Sequence, residues 1–244
     1  MEFTVNIKRI AYVNAINNQA GENNVHQFEK SELPSLSALK PMQRRRLSPY
    51  AKLAMHCALE VTESDNSQLM SVFSSRHGDL HKTSDMLGDI VAGEALSPTA
   101  FSLSVHNAVS GLFTIFTQNT QPSTTISAGK NTFLMAMLEA HIRLKTGEHE
   151  AILLVHCDQA LPESYRQYAD EAQIDHAIAL VLTKDSSVAT TSIHLMQLDN
   201  KNEDVAHRNN LNTELPQAVA FSQWFNQADK TELLLNDPYW QVTR

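Results

Sequence analysis

The sequence carries little positive charge for its length. Its 19 Lys and Arg residues against 27 Asp and Glu residues give a formal net charge of -8. Nucleic acids and anionic membrane surfaces are bound through basic side chains, so neither is expected as the main partner. Apolar runs of membrane-spanning length are also missing, and their absence predicts no membrane insertion.

The chain also lacks an extended stretch rich in proline and glycine, which would mark a linker between two domains. It has 7 glycines and 8 prolines among 244 residues, and 42% of its residues are hydrophobic. This composition is enough to bury one sizeable core. We expect one domain over residues 1–198, followed over residues 199–244 by a polar linker and an amphipathic C-terminal helix.

Cysteine is scarce, with Cys57 and Cys157 far apart in apolar surroundings. No secretory signal is visible at the N-terminus, so we expect a reducing cytoplasmic location. Both thiols are predicted to be buried and free. We expect no cofactor and no bound metal.

The most informative stretch is Ser123–Phe133, a β-branched run that turns at Gly129 directly into a helix. Apolar residues then recur on more than one helical face, which predicts a buried helix. In enzymes that form acyl intermediates, a nucleophile sits at such an elbow, because the turn exposes its side chain and the helix N-terminus lowers a thiol's pKa. Gly129 has no side chain that could attack a substrate.

The remaining pattern predicts alternating strands and helices. Opening strand residues Phe3, Val5 and Ile7 precede a polar loop at residues 21–24, and a helix begins with Ser48 as N-cap and Pro49. Further segments are a strand at 67–75, a helix at 83–91 ending near Gly93, a core helix carrying Val105, Val109, Leu112, Phe113 and Phe116, strands at 151–155, 177–182 and 191–198, and a last helix carrying Leu215, Val219, Ser222 and Phe225. Continuous apolar strands are typical of sheets covered on both faces, so we predict an α/β layered fold with a mixed, largely parallel sheet.

Several short motifs then occur in a recognisable order. They are Phe73-Ser74-Ser75-Arg76-His77-Gly78, Ser97-Pro98, Val105-His106-Asn107-Ala108-Val109-Ser110-Gly111 and Ser127-Ala128-Gly129. With them the chain resembles, from about residue 44 to 182, the N-terminal half of the β-ketoacyl synthases, and more closely a short ketosynthase-like group that keeps this half alone. The resemblance implies a thiolase-like half whose C-terminal half is absent.

The departures from that family carry the functional argument. Active ketosynthases hold the acyl chain on an elbow cysteine, where this chain has Gly129. Their catalytic histidines and lysine come from the second half of the fold, and the stretch after Leu198 is too short to supply it. Condensation needs a nucleophile and a group that stabilises the carbonyl charge. We therefore assign no catalytic residue and do not expect the chain to be an enzyme by itself.

A ketosynthase-like chain without the chemistry resembles a chain-length factor. The resemblance implies a heterodimer with an active β-ketoacyl-ACP synthase, whose acyl tunnel this subunit would wall off, in fatty-acid or polyketide-type chain elongation. Acyl carrier protein would bind mainly through the partner, and the aryl-polyene type of system is the first choice. Candidates by position for the tunnel wall or dimer interface are Arg76, His77, Thr99, Ala100, Phe101, Ser104, Asn107, Phe113, Phe116, Ser127 and Gly129.

Other interpretations stay open. Phe113 and Phe116 are also typical of plain core packing. His77 and His81 have a spacing that would suit a metal on a helix, but no third ligand is nearby in sequence. The basic cluster Arg44–Arg46 fits either a solvated stretch before a helix or a docking point for acyl carrier protein. The chain could instead be a stand-alone acyl-thioester enzyme using Cys157 or a serine, or a homodimeric acyl-binding protein.

Overall fold

The computed structural model describes residues 1–16, 25–62, 68–198, 215–235 and 239–244. The loop predicted at residues 21–24 and most of the polar linker predicted after residue 198 lie outside these ranges. The described residues form one mixed sheet with helices packed on both faces. No helix among them is long and apolar enough to cross a bilayer.

The sheet has eight strands, and their order is β3-β2-β4-β5-β1-β6-β8-β7. The strands are β1 (Glu2–Asn14), β2 (Met70–Ser74), β3 (Ser123–Ile126), β4 (Ala151–Asp158), β5 (His176–Thr183), β6 (Thr191–Gln197), β7 (Glu232–Leu235) and β8 (Trp240–Thr243). The helices are α1 (Pro41–Arg44), α2 (Pro49–Thr62), α3 (Leu80–Ala92), α4 (Pro98–Ser102), α5 (Ala108–Thr117), α6 (Thr132–Thr146) and α7 (Gln217–Phe225), with 3-10 turns at Glu163–Tyr168 and Ser186–Val188.

The prediction of a mixed sheet is confirmed, but the prediction that it is largely parallel is wrong. Strand β2 runs parallel to β3 and β4, whereas the other five pairings among the described strands are antiparallel. Parallel neighbours need a long crossover, which α3 to α6 provide between β2, β3 and β4. Strands β4 and β5 are buried on both faces as predicted, yet antiparallel pairing is equally compatible with that burial.

The two faces of the sheet bury separate cores. On β4 and β5, Leu154 and Leu180 face α6 and α7, whereas Leu153 and Val181 face α2 and α5. In β1 the register shifts between Ile7 and Arg9. Because a one-residue shift exchanges the faces of a strand, Ile7 lies in the first core and Ala11 in the second.

Local signals place most helix ends where the sequence predicts them. The Ser48 hydroxyl accepts a hydrogen bond from the Ala51 N–H at 3.2 Å, as an N-cap does. At the end of α3, Gly93 adopts a left-handed φ of 75°, which closes the helix.

The core helix predicted after Ser97 is interrupted. It is divided into α4 and α5, and Val105 lies exposed between them rather than on the buried face. The break coincides with His106, whose Nε2 contacts the Ser75 carbonyl oxygen at 2.8 Å. This tertiary contact holds the chain in a turn where apolar periodicity alone predicts a continuous helix.

The C-terminal helix predicted near Phe225 is present as α7. Beyond it, β7 and β8 continue the sheet next to β6, an arrangement that the sequence analysis did not predict. Trp240 is fully buried and meets Phe3 edge to face, with ring centroids 6.0 Å apart. The described residues after 214 therefore share the sheet's core, and the division of the chain at residue 198 stays a prediction.

We predict that Trp240→Ala destabilises the whole fold. Removing a fully buried indole from a packed core lowers the free energy of unfolding by about 3–5 kcal/mol. Urea denaturation followed by circular dichroism measures this change, with the exposed Tyr168→Ala as the matched control. If Trp240→Ala changed the free energy of unfolding by less than about 1 kcal/mol, as the control is expected to do, a structural role for β8 would be contradicted.

Candidate functional site

The carboxyl ends of the three parallel strands meet at one edge of the sheet. Strands β2, β3 and β4 run side by side in the same direction, so the turn after Ser74, the elbow after Ile126 and Asp158 are neighbours in space. In open α/β sheets this edge is the usual place for a binding or catalytic site. The predicted elbow thus lies where the fold favours function.

The elbow itself is a tight turn built around Gly129. Its φ is 57°, a left-handed conformation that glycine adopts readily and other residues resist. Thr132 fixes the turn, because its hydroxyl donates to the Gly129 carbonyl at 2.6 Å and accepts from the Ala128 N–H at 2.9 Å. A Cβ at Gly129 would meet no atom within 4 Å. The turn leaves room for a side chain, and the sequence supplies none.

Asp158 holds the neighbouring turn in place. Its buried carboxylate accepts hydrogen bonds from the Ser75 hydroxyl at 2.7 Å and from the backbone N–H groups of Arg76 and His77 at 2.9 to 3.2 Å. The Ser127 hydroxyl in turn donates to the Arg76 carbonyl at 3.1 Å. One carboxylate therefore connects the ends of β4 and β2 and, through Ser127, the elbow.

Arg76 is engaged by two acidic side chains. Its guanidinium lies 2.8 Å from Asp170 and 3.1 Å from Glu171, and Lys130 lies 3.7 Å from Asp170. The hydrogen bond from Arg76 lowers the pKa of Asp170, while burial raises the pKa of Glu171. The guanidinium is thus held in an ion-pair network, and it is not a free anion-binding group in the isolated chain.

Two buried histidines lie below the elbow and were missed in the sequence. His156 contacts the Ser74 hydroxyl through Nδ1 at 3.0 Å, and its Nε2 lies 3.4 Å from Asp158. His176 is next to it, with the two ring centroids 5.5 Å apart. Burial lowers the pKa of His156 to about 4, so this ring is neutral at physiological pH. The available signal was a histidine near the end of one apolar strand and another at the start of the next apolar strand.

The sequence-predicted tunnel and interface residues fall into two groups. The first group lies at the elbow: Ser127 and Gly129 belong to it, and Arg76 and His77 belong to the neighbouring turn. Burial lowers the pKa of His77. The other candidates lie on or near α4 and α5: Thr99, Phe101 and Asn107 are exposed, Ala100, Ser104 and Phe116 are half-buried, and Phe113 is buried. Phe113 is only 2% exposed and packs against Phe73 at 5.6 Å between centroids, which favours core packing over tunnel lining.

The cysteines are buried and free, as predicted. Cys157 lies in the second core, near the Tyr50 carbonyl, whereas its neighbour His156 faces the other side of β4. Burial raises the pKa of both thiols well above the ordinary value. A Cys157–His156 nucleophile is therefore disfavoured by both direction and charge state.

His77 and His81, whose spacing would suit a metal on a helix, belong to no cluster of metal-binding side chains among the described residues. Among the described residues, one group of three metal-binding side chains occurs, and it consists of His156, Asp158 and His176. His81 instead contacts the Ala160 carbonyl oxygen through Nε2 at 2.8 Å.

Sequence comparison then identifies the family. The profile described as "Beta-ketoacyl synthase, N-terminal domain" matches residues 18–241. The chain belongs to this family. The resemblance seen in the sequence is therefore confirmed, and the fold is the ketosynthase N-terminal half of the thiolase type. A comparison with curated proteins gave no match.

Solved structures share this fold. One chain from the complex of the ketosynthase ApeO with its chain length factor ApeC, from Xenorhabdus doucetiae, is 24% identical to this chain with a TM-score of 0.78. The match covers 99% of this chain and 100% of that one. A β-ketoacyl synthase from Burkholderia phymatum is 12% identical with a TM-score of 0.59, over 81% of this chain and 64% of that one. The ishigamide ketosynthase/chain length factor is 14% identical with a TM-score of 0.52, over 60% of this chain and 46% of that one.

We predict that neither thiol reacts in the native protein. Both sulfurs are buried and protonated, and the thiolate is the reactive form, so Ellman's reagent should label fewer than about one thiol in ten until the chain unfolds. Absorbance of the released thiolate measures labelling with and without guanidinium chloride. Rapid labelling of native protein that disappears in Cys157→Ala would support the stand-alone enzyme instead.

Proposed function

We propose that this chain is a non-catalytic ketosynthase-like subunit, a chain-length factor that pairs with an active β-ketoacyl-ACP synthase. The observation that carries the proposal is the elbow. It keeps the strand, tight turn and buried helix that would present a nucleophile, but Gly129 occupies the apex. The two cysteines lie buried elsewhere, so no thiol stands in for the missing one.

The comparisons support this role at the level of architecture. The Xenorhabdus complex contains a ketosynthase and a chain length factor, and its matched chain is covered over its whole length. A second matched structure is again named a ketosynthase/chain length factor. By analogy, this chain would form one half of such a pair.

Exposed apolar side chains support a partner on the side of α3 to α5. Leu87, Ile90, Val91, Phe101 and Val105 are all exposed, and α4 buries none of its residues. Apolar groups gathered on one surface of a soluble protein mark an interaction site. Strand β3 adds an open edge, because among the described strands it pairs only with β2. We infer that the partner ketosynthase covers this edge and the adjoining helices.

In this arrangement α4 would supply the end of the partner's acyl tunnel. Phe101 is 59% exposed and presents a flat apolar face, while Ala100 and Ser104 leave space beside it. A wall of this kind limits the length of a bound chain, because a longer chain would have no volume to occupy. Aromatic faces also suit a rigid conjugated chain, so we propose a polyunsaturated acyl substrate of the aryl-polyene type.

Acyl carrier protein would reach the complex mainly through the active partner. A matched structure, 12% identical with a TM-score of 0.54, contains a type II acyl-carrier protein bound to its ketosynthase. In this chain, Arg45 and Arg46 are exposed, while Arg44 donates to the Ser35 carbonyl at 3.3 Å. We propose that these arginines contribute at most a minor electrostatic contact.

We predict that the chain forms a heterodimer with its cognate ketosynthase. Burying the exposed apolar surface stabilises the native state, so the melting temperature of this chain should rise on adding the partner. Co-expression with a tag on one subunit, followed by size-exclusion chromatography with light scattering, measures the stoichiometry. A stable homodimer that does not bind the ketosynthase would instead favour a homodimeric acyl-binding protein.

We predict that Phe101→Ala lengthens the products of the reconstituted pair. The substitution removes an exposed ring at the proposed tunnel end, so additional two-carbon units should fit while the chain's stability changes by less than about 0.5 kcal/mol. The converse variants Ala100→Phe and Ser104→Phe should shorten products without affecting early condensations. Mass spectrometry of the released acyl chains gives the length distribution.

Phe113→Ala is the matched control for that experiment. It removes the same ring from a buried position, so it should cost about 3–5 kcal/mol in stability and lower the yield of complex with little change in product length. An unaltered length profile for Phe101→Ala and both converse variants, in complexes formed at normal yield, would contradict the proposed wall.

A further inference from the structure

Three buried side chains converge beneath the elbow. One ligand atom each from His156, Asp158 and His176 lies within 4.8 Å of the others, and each residue is at most 7% exposed. Buried polar groups of this kind are expensive unless each has a partner. The chain-length-factor role uses none of the three as a reacting group.

The sheet register brings them together. In the antiparallel pair of β4 and β5, Asp158 lies opposite His176 and His156 lies opposite Ile178. Residues two apart on a strand share a face, so His156 and Asp158 project to the same side of β4. They share it with Leu154, and His176 shares it with Ile178, on the face that packs against α6 and α7.

The far nitrogens of both rings are already engaged. Nδ1 of His176 lies 2.8 Å from the Ile174 carbonyl oxygen, which only accepts, so Nδ1 carries the proton and Nε2 presents a lone pair. Among the described residues, this Nε2 has no hydrogen-bond partner although it is buried. Metal-ligating histidines typically donate one ring N–H to a carbonyl oxygen and coordinate the metal through the other nitrogen, and His176 has this arrangement.

His156 is held in a comparable way. The Ser74 hydroxyl lies 3.0 Å from Nδ1 of His156 and 3.3 Å from the Val155 carbonyl oxygen. Nε2 of His156 faces the Asp158 carboxylate 3.4 Å away. A divalent ion between these two groups would replace the proton on Nε2, because metal ligands bind in their deprotonated form.

We propose that His156, Asp158 and His176 bind one divalent transition-metal ion, with Zn²⁺ as the first choice. Two imidazole nitrogens and a carboxylate oxygen form a usual donor set for zinc. Metal–ligand bonds of about 2.0–2.2 Å place neighbouring ligand atoms roughly 3.3 Å apart, so side-chain movements of about 1 Å complete the site. The adjoining cavity of about 10 Å³ has room for one water-sized occupant at the fourth position.

The surrounding charges permit this ion. Two cationic side chains line the same cavity, and both are paired: Arg76 with Asp170 and Glu171, and Lys130 with Asp170. Oδ1 of Asp158 accepts from the Ser75 hydroxyl and the His77 N–H, and the Arg76 N–H is shared between Oδ1 and Oδ2. A carboxylate oxygen has two lone pairs, so Oδ2 keeps one for the ion. The metal would tie β5 to β4 and fix the carboxylate on which the turn depends. Its role is structural, and it does not require the ketosynthase partner.

Metal binding to the purified full chain tests the proposal. After removal of metals with a chelator, isothermal titration with ZnCl₂ should give one tight site per chain, and Zn²⁺ should raise the melting temperature. Cobalt chloride should give the visible absorption of a four-coordinate Co²⁺ with nitrogen ligands. His156→Gln and His176→Gln should each weaken binding by at least about 10-fold and abolish the thermal shift.

A histidine outside the cluster provides the control for the two glutamine variants. His194→Gln alters an exposed ring and should leave stoichiometry and affinity unchanged. Should a glutamine variant fail to fold, the Co²⁺ spectrum of the wild-type chain and Ser74→Ala, which loosens His156 without removing a ligand, still decide the question. An octahedral Co²⁺ spectrum, or zinc binding and thermal shift that are equal in the wild type and both folded glutamine variants, would overturn the proposal.

Discussion

The carboxylate of Asp158 is the interaction on which the functional end of this fold depends. It lies at the last residue of β4 and satisfies two successive backbone N–H groups and a hydroxyl of the turn after β2. A charged acceptor makes stronger hydrogen bonds than a neutral one, and burial at this position protects them from water. Through Ser127 the same turn supports the elbow, so three strand ends are held in one geometry by one side chain.

Apolar periodicity predicts the elements of this fold well and their pairing poorly. The strand opened by Phe3, the helix beginning at Pro49 and the buried helix after Gly129 all occur where the sequence indicates, because local spacing determines them. The direction of β5 cannot be read from its own residues or from the stretch 159–175 before it, because that connection is long enough for either direction. Strands β7 and β8 are short, and β8 pairs with β6 across the polar stretch, a contact that no local pattern reveals.

The candidate site could likewise be predicted from the sequence only where local pattern determines it. Gly129 was recognisable because a glycine between a β-branched run and an apolar helix has a specific local meaning. The histidine cluster was not recognisable, because His156 and His176 become neighbours only through the register of two antiparallel strands. Similarly, Phe101 and Phe113 look alike in the sequence, yet one is exposed on α4 and the other is enclosed against Phe73. Only the packing partners, which are distant in sequence, distinguish the buried phenylalanine from the exposed one.

The open edge of β3 has a consequence for how the cell must produce this chain. Ser123–Ile126 is a β-branched strand whose outer hydrogen-bonding groups pair with no described strand. Such an edge is a template for any other exposed strand, including that of an identical chain. Molecules synthesised in excess of whatever covers this edge would aggregate or be degraded. Production of this chain in no greater amount than whatever covers the edge would therefore protect it from self-association.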